Sequence, residues 1–255
     1  MINLYKYELL YFLKTPRLLV LIVLGVLLSL ISVATARYMH IIMEWALALE
    51  NITGIDIPPG SVLDAQAQFF NNFQQIYFLV LLFIGVGVLT KEKTQKIYPY
   101  LITHPVSRHS IVIAKLSVIV HLTLFSLIVS GAVFAFYTAV IFEGFSVGRY
   151  ALALLVYLMV VKMFILFVAV FAFWKGSYFL SITMGIVVYI AFSALTFLEA
   201  GFFSWMPWHL LTYSMAIVNG TLTLSDAWGA LLLSILLSIA MFMASLHLFT
   251  RQTLQ

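Results

Sequence analysis

Lys162 stands near the middle of an apolar run, 151–174, with no other charge in that stretch. A lysine at the centre of a membrane-spanning helix costs about 2.5–3.5 kcal/mol on insertion scales, so it faces protein or a water-filled cavity. In a cavity its ammonium would attract an anionic group on a passing substrate. In the bundle it would sit in an ion pair or against a backbone carbonyl. His121 lies in a second apolar run and reads more readily as a packed polar residue than as a proton relay. Lys162 and His121 are the candidates for a substrate pathway. The remaining histidines, His40, His104, His109, His209 and His247, show no metal spacing such as HExxH. No cysteine is present, which excludes thiol catalysis, disulfides and thiolate-bound metal. Ser204 and His209 share one segment, but nothing resembles a nucleophile and base positioned on membrane helices. No GxxxxGK[ST] sequence occurs, so no P-loop is available to cradle a nucleotide. No catalytic residue and no metal site are expected.

The surroundings of Lys162 and His121 define what must position them. Of 255 residues, 64% are hydrophobic and 9% charged, with a mean hydropathy of +1.12. A soluble domain carries about 25% charge. So much apolar side chain needs lipid as its solvent. The reading is a single membrane domain over 1–255, all-α and polytopic. The net charge of +4 is spread over short loops rather than one continuous face, which argues against nucleic acid.

A helix needs about 20 apolar residues to cross a bilayer core. Six stretches qualify: 18–36, 73–90, 111–142, 151–174, 178–197 and 228–249. With the N-terminus inside, Lys6, Lys14, Arg17, Lys91, Lys93, Lys96, Arg108, Lys115, Lys175 and Arg251 lie on the inner side. Only Arg37 and Arg149 lie outside. This imbalance of bases predicts both termini in the cytoplasm of a cell-membrane protein. The acids Glu44, Glu50, Asp56, Asp64, Glu143, Glu199 and Asp226 fall on the outer side.

The intervening segments differ in character. Residues 1–17 mix aromatics and leucines with Lys6, Glu8 and Lys14, which suits a helix lying in the inner interface. Pro16 turns the chain into the bilayer. Residues 37–72 read as a long external loop, broken by Gly54 and Pro58-Pro59-Gly60. Residues 91–110 form the most basic cytoplasmic loop. Residues 198–226, with Trp205, Pro207 and Trp208, read as short helices dipping into the outer leaflet. The two halves show no internal repeat.

The loop from Lys91 reads KEKTQKIYPYLITHPVSRHSIVIAKL. It resembles the loop between the second and third spans of ABC type-2 transporter permeases. That loop carries a Glu, a Leu about nine residues on, a Pro-Val-Ser-Arg stretch, an apolar position and a Lys. Those positions are filled here by Glu92, Leu101, Pro105-Val106-Ser107-Arg108, Ile111 and Lys115. The family's usual Gly-Thr after the Glu is replaced by Lys96-Ile97. Tyr7-Glu8 through Pro16-Arg17 is similar to the family's interfacial elbow helix.

The resemblance implies the membrane subunit of an ABC exporter. Such a subunit pairs with a second permease protomer and docks two copies of a separate ATP-binding subunit, which would hold ATP and Mg²⁺. A short coupling helix between spans two and three would fit a cleft on that ATPase. Glu92, Lys93, Lys96 and Leu101 would lie on it, Pro105 would end it, and Ser107 and Arg108 would follow. Arg108 suits a carboxylate or a helix C-terminus on the partner. Glu8 would pair with Lys6, Lys14 or a loop base. The alternative is that these bases serve topology alone. Two other function classes compete. A self-contained carrier or channel would want buried ionisable groups in several spans. An intramembrane enzyme would want a nucleophile–base pair. Neither the substrate nor the choice between homodimer and heterodimer is readable from the sequence.

Overall fold

The first helix ends in a turn that sends the chain into the bundle. α1 (Ile2–Lys14) closes with the Thr15 N–H on the Tyr11 carbonyl at 3.2 Å and the Thr15 hydroxyl on the Phe12 carbonyl at 2.9 Å. Pro16 follows, with φ −66°, as the cap of α2 (Arg17–Leu49). A proline at a helix start loses nothing by lacking an N–H. In this computed structural model, residues 2–50, 58–91, 107–196 and 204–251 are described.

α2 runs past Arg37, where a loop was expected to begin, and stops only at Glu50. The correction has a local cause. Residues 37–49 contain neither Gly nor Pro and are rich in Met, Ala and Leu, so helix propensity continues after the apolar run has ended. At about 1.5 Å per residue, 33 residues reach about 50 Å, well beyond a ~30 Å core. The 37–72 segment is helical at its far end too. α3 (Val62–Asn72) starts from a capping box: the Ser61 N–H donates to the Asp64 carboxylate at 2.8 Å, and the Asp64 N–H to the Ser61 hydroxyl at 3.3 Å. A π-helical turn (Phe73–Tyr77) then leads into α4 (Phe78–Leu89), and the three pieces form one span over Val62–Leu89.

α5 (Arg108–Ile141) begins at Ser107, whose hydroxyl accepts the Ser110 N–H at 3.2 Å. α6 (Val147–Lys175) ends at Gly176, which takes a left-handed φ of 61° that a side chain would resist. Ser177 caps α7 (Tyr178–Leu195). A 3-10 turn (Pro207–His209) and α8 (Leu210–Asn219) form the short helical segment expected between the last two spans, and α9 (Trp228–Arg251) completes the bundle. Six helices are long and apolar enough to cross a membrane, and no strand occurs among the described residues.

α6 lies at the centre, packed on α4, α5, α7, α8 and α9, while α2 lies along α5. The α2–α5 approach depends on Gly25: a methyl there would collide with the Ser130 hydroxyl. Ser29 uses the same closeness, donating to its own helix at Gly25 and lying 2.9 Å from the Ser130 carbonyl. Small residues that let backbones approach are a common basis of helix association in lipid. Phe69, Phe73, Tyr77 and Phe134 are fully buried and stack ring on ring, with Phe69 4.4 Å from Phe73 and 4.5 Å from Phe134. The π turn places Tyr77 so that its hydroxyl meets Ser126 of α5. In contrast, Leu19, Val23, Leu27 and Ile31 of α2, Phe179 and Ile190 of α7, and Leu232, Leu236 and Met243 of α9 face outward. Such faces are stable against acyl chains rather than water.

Candidate functional site

Tyr5, Glu8 and Phe12 recur at helical spacing, so they share one face of α1. That face packs on α5. Phe12 is fully buried, and the Tyr5 ring meets His121 edge-on at 6.2 Å. A carboxylate on this face needs a counter-charge, and Lys115 of α5 supplies it. The Glu8 carboxylate lies 3.2 Å from the Lys115 ammonium, with side chains only 9% and 1% exposed. Desolvating two charges offsets much of their attraction, whereas removing one partner strands a buried charge. The pair therefore fixes where α1 docks more than it adds net stability.

Tyr11 lies on another face of α1 and gathers cations. The Lys91 ammonium at the end of the second span sits 3.1 Å from the Tyr11 ring centre, and the Arg17 guanidinium 5.6 Å from it. Cations over an aromatic face are attracted by its electron density. α1 thus touches the end of the second span, the start of the first and the start of the third.

Arg108 donates to the Thr250 carbonyl at 3.0 Å. It caps the last turn of α9 within its own chain, a cation at a helix C-terminus. This contact joins the start of the third span to the end of the last span. Ser107 is engaged as the α5 cap. Glu92, Lys93, Lys96, Leu101 and Pro105 lie outside the described residues. The described ends of that loop are nevertheless both anchored, Lys91 on Tyr11 and Arg108 on Thr250.

The pathway candidates lie apart from this cluster. Lys162 is half-buried on α6, its ammonium 3.6 Å from the Met159 sulfur. Among the described residues no carboxylate lies within ion-pair reach of it. His121 is exposed on α5, and its Nδ1 lies 2.7 Å from the Ser117 carbonyl. That contact fixes the ring along its own helix, beside the α1 aromatics.

Two features were missed in the sequence. Glu8 pairs with Lys115 rather than with Lys6, Lys14 or a base of the loop proper. The i, i+3, i+7 pattern of Tyr5, Glu8 and Phe12 was the available signal that Glu8 faces inward. Tyr11 carried no comparable signal, because its cations come from distant parts of the chain.

Comparison with known sequences completes the description. The family model described as ABC-2 family transporter protein matches residues 12–193, well over half of the chain. A search of curated proteins finds no match.

Proposed function

Because the chain belongs to the ABC-2 transporter family, we propose that it is the permease subunit of an ATP-driven exporter, working as a dimer with separate ATP-binding subunits. It is a multi-pass membrane protein and a membrane transport subunit. In this reading its termini and the 91–110 loop face the cytoplasm of a cell membrane, which the distribution of bases supports. ATP and Mg²⁺ belong to the partner.

The observation that carries the reading is the buried Glu8–Lys115 pair. Lys115 stands two turns after Arg108 on one helix, so the re-entry of the loop and the docking of α1 share a rigid element. Lys91 at the exit of the loop rests on the same α1. A push on the loop by an ATPase would reach α1, α4 and α5 together, and α9 through Thr250. Lys162, half-buried without an acid partner among the described residues, would face the substrate route and favour an anionic group there.

The test is purification of tagged protein in mild detergent, with an ATPase assay on the eluate, beside a variant carrying Glu92→Ala and Arg108→Ala. Co-purification of an ATP-binding chain, with hydrolysis lost or uncoupled in the variant, is the expected result. A chain that purifies alone and moves solute in liposomes without nucleotide would overturn the reading in favour of a self-contained carrier.

A further inference from the structure

We propose that a pocket at the far end of α5 from Arg108 binds a zwitterionic group, its anion on Arg149, its ammonium on Glu143 and a further polar atom on the Gln66 amide. The pocket holds about 340 Å³ and lies among the start of α3, the turn between α5 and α6, and the end of α8. Small-molecule sites usually hold about 300–1,000 Å³. Ser61 and Gln66 line it from α3, Glu143, Ser146 and Arg149 from the turn and the start of α6, and Asn219 from α8. Gly144 takes a left-handed φ of 81° in that turn, which lets the chain reverse and bring Glu143 and Arg149 to one pocket.

Gln66 is only 3% exposed, and among the described residues its amide has no hydrogen-bond partner. A buried amide without a partner is costly, and a polar ligand in the pocket would satisfy it. The Arg149 guanidinium is laid against Gly220, where a Cβ would stand 2.8 Å from Nη1. The Ala216 and Ile217 carbonyls at that end of α8 already accept the N–H groups of Gly220, Thr221 and Leu222. Arg149 is thus placed by packing, and it forms no ion pair with Glu143 across the pocket they share. Asp64, close by on α3, is committed to the Ser61 N–H at 2.8 Å and the Ser61 hydroxyl at 2.7 Å. An anion alone would be opposed by Glu143, and a cation alone by Arg149. A zwitterion matches both, because a guanidinium pairs with a carboxylate or phosphate and a carboxylate with an ammonium. A methyl on Gly60 would collide with the Ala36 carbonyl, so the start of α3 lies level with Ala36 of α2. Ala36 is about 28 Å along that helix from Arg17, near the far edge of a ~30 Å core. At that depth a phosphoethanolamine lipid headgroup and a free amino acid both present an ammonium and an anion a few atoms apart. The inference does not depend on ATP coupling, so either can fail alone.

The experiment is isothermal titration calorimetry on the delipidated full chain in detergent, with any co-purifying subunits. The zwitterionic probes are L-alanine and glycerophosphoethanolamine. Glycerol phosphate carries the anion alone, and ethanolamine the ammonium alone. Native mass spectrometry then compares phosphatidylethanolamine with phosphatidylglycerol of identical chains. The expected result is that a zwitterion binds and that each single-charge probe binds about tenfold more weakly, with Glu143→Gln and Arg149→Gln each weakening the zwitterion about tenfold and Gln66→Leu about fivefold. Retention of phosphatidylethanolamine that neither soluble zwitterion displaces identifies a lipid headgroup as the ligand. Binding of a soluble zwitterion by itself identifies a free one. Ser146 makes no capping hydrogen bond, so Ser146→Trp fills the pocket, keeps every charge and should abolish binding; it decides the matter where another variant fails to fold. Single-charge probes that bind as well as the zwitterions, no binding by any zwitterionic probe or lipid, or a Ser146→Trp variant that binds as the native chain does would each overturn the proposal.

Discussion

Glu8 and Lys115 meet at 3.2 Å across the contact between the first helix and the start of the third span, nearly sealed from solvent. A pair in this position makes the docking of α1 conditional on a charge match. Apolar packing around Phe12 alone would tolerate sliding of one helix along the other, whereas a stranded charge would not.

Breaking the pair should therefore be costly, and removing it much less so. Glu8→Gln leaves the Lys115 ammonium buried opposite a neutral amide, with an expected loss of about 3–5 kcal/mol. The joint change of Glu8→Leu and Lys115→Met should recover most of that loss. Thermal unfolding of detergent-purified Glu8→Leu, Lys115→Met and the joint variant reads the coupling as a double-mutant cycle. Strict additivity of the two single effects would show that the side chains do not act as a pair.

Arg108 should hold the end of the last span. Its hydrogen bond to the Thr250 carbonyl is charge-assisted, worth about 1.5–3 kcal/mol where it is shielded and less at the half-buried site it occupies. In Arg108→Ala, amide exchange over the last turn of α9 should accelerate while exchange in the middle of α5 stays slow. Exchange at the α9 end that matches the native chain would show that the contact does not restrain that helix.

The approach of α2 to α5 predicts an asymmetry between two glycines. Gly25→Ala drives a methyl into Ser130 and should cost about 1–3 kcal/mol by overpacking. Gly85→Ala meets nothing within 4 Å and should be neutral or slightly stabilising. Melting temperatures of the two variants, measured side by side, test the contrast. Equal losses would mean that the α2–α5 contact is not tight at Gly25.

Lys162 separates a structural role from a transport role. Lys162→Met removes a charge from the middle of a span and should leave stability equal or higher, because insertion no longer bears a cost of about 2.5–3.5 kcal/mol. Transport should fall, with Lys162→Arg retaining part of it. The measurements are yield, melting temperature and substrate flux with the ATPase partner present. Undiminished flux in Lys162→Met would remove the residue from the pathway, and a loss of stability would place it among the contacts that hold the bundle.

Hydropathy alone was enough to find six spans, since about 20 consecutive apolar residues are a local property that no distant contact changes. The start of the third span and the end of the last lie together at one end of the bundle, where Arg108 meets Thr250. The boundaries were less legible. A membrane edge ends an apolar run without ending a helix, so α2 continues from Arg37 to Leu49 on propensity alone. The start of α3 was readable in principle from Ser61 and Asp64, a capping box that lies well before the apolar run it serves. The sequence marked Glu8 and Lys162 as charges in unusual places by composition and position, but it could not name their neighbours. Those depend on which helices pack together. Tertiary structure decided that Glu8 meets Lys115 from the far side of two spans, that Tyr11 gathers Lys91 and Arg17, and that Lys162 is left beside a methionine. The physical reason is that burial in lipid acts on each helix separately, whereas charge pairing requires two helices to arrive at the same place.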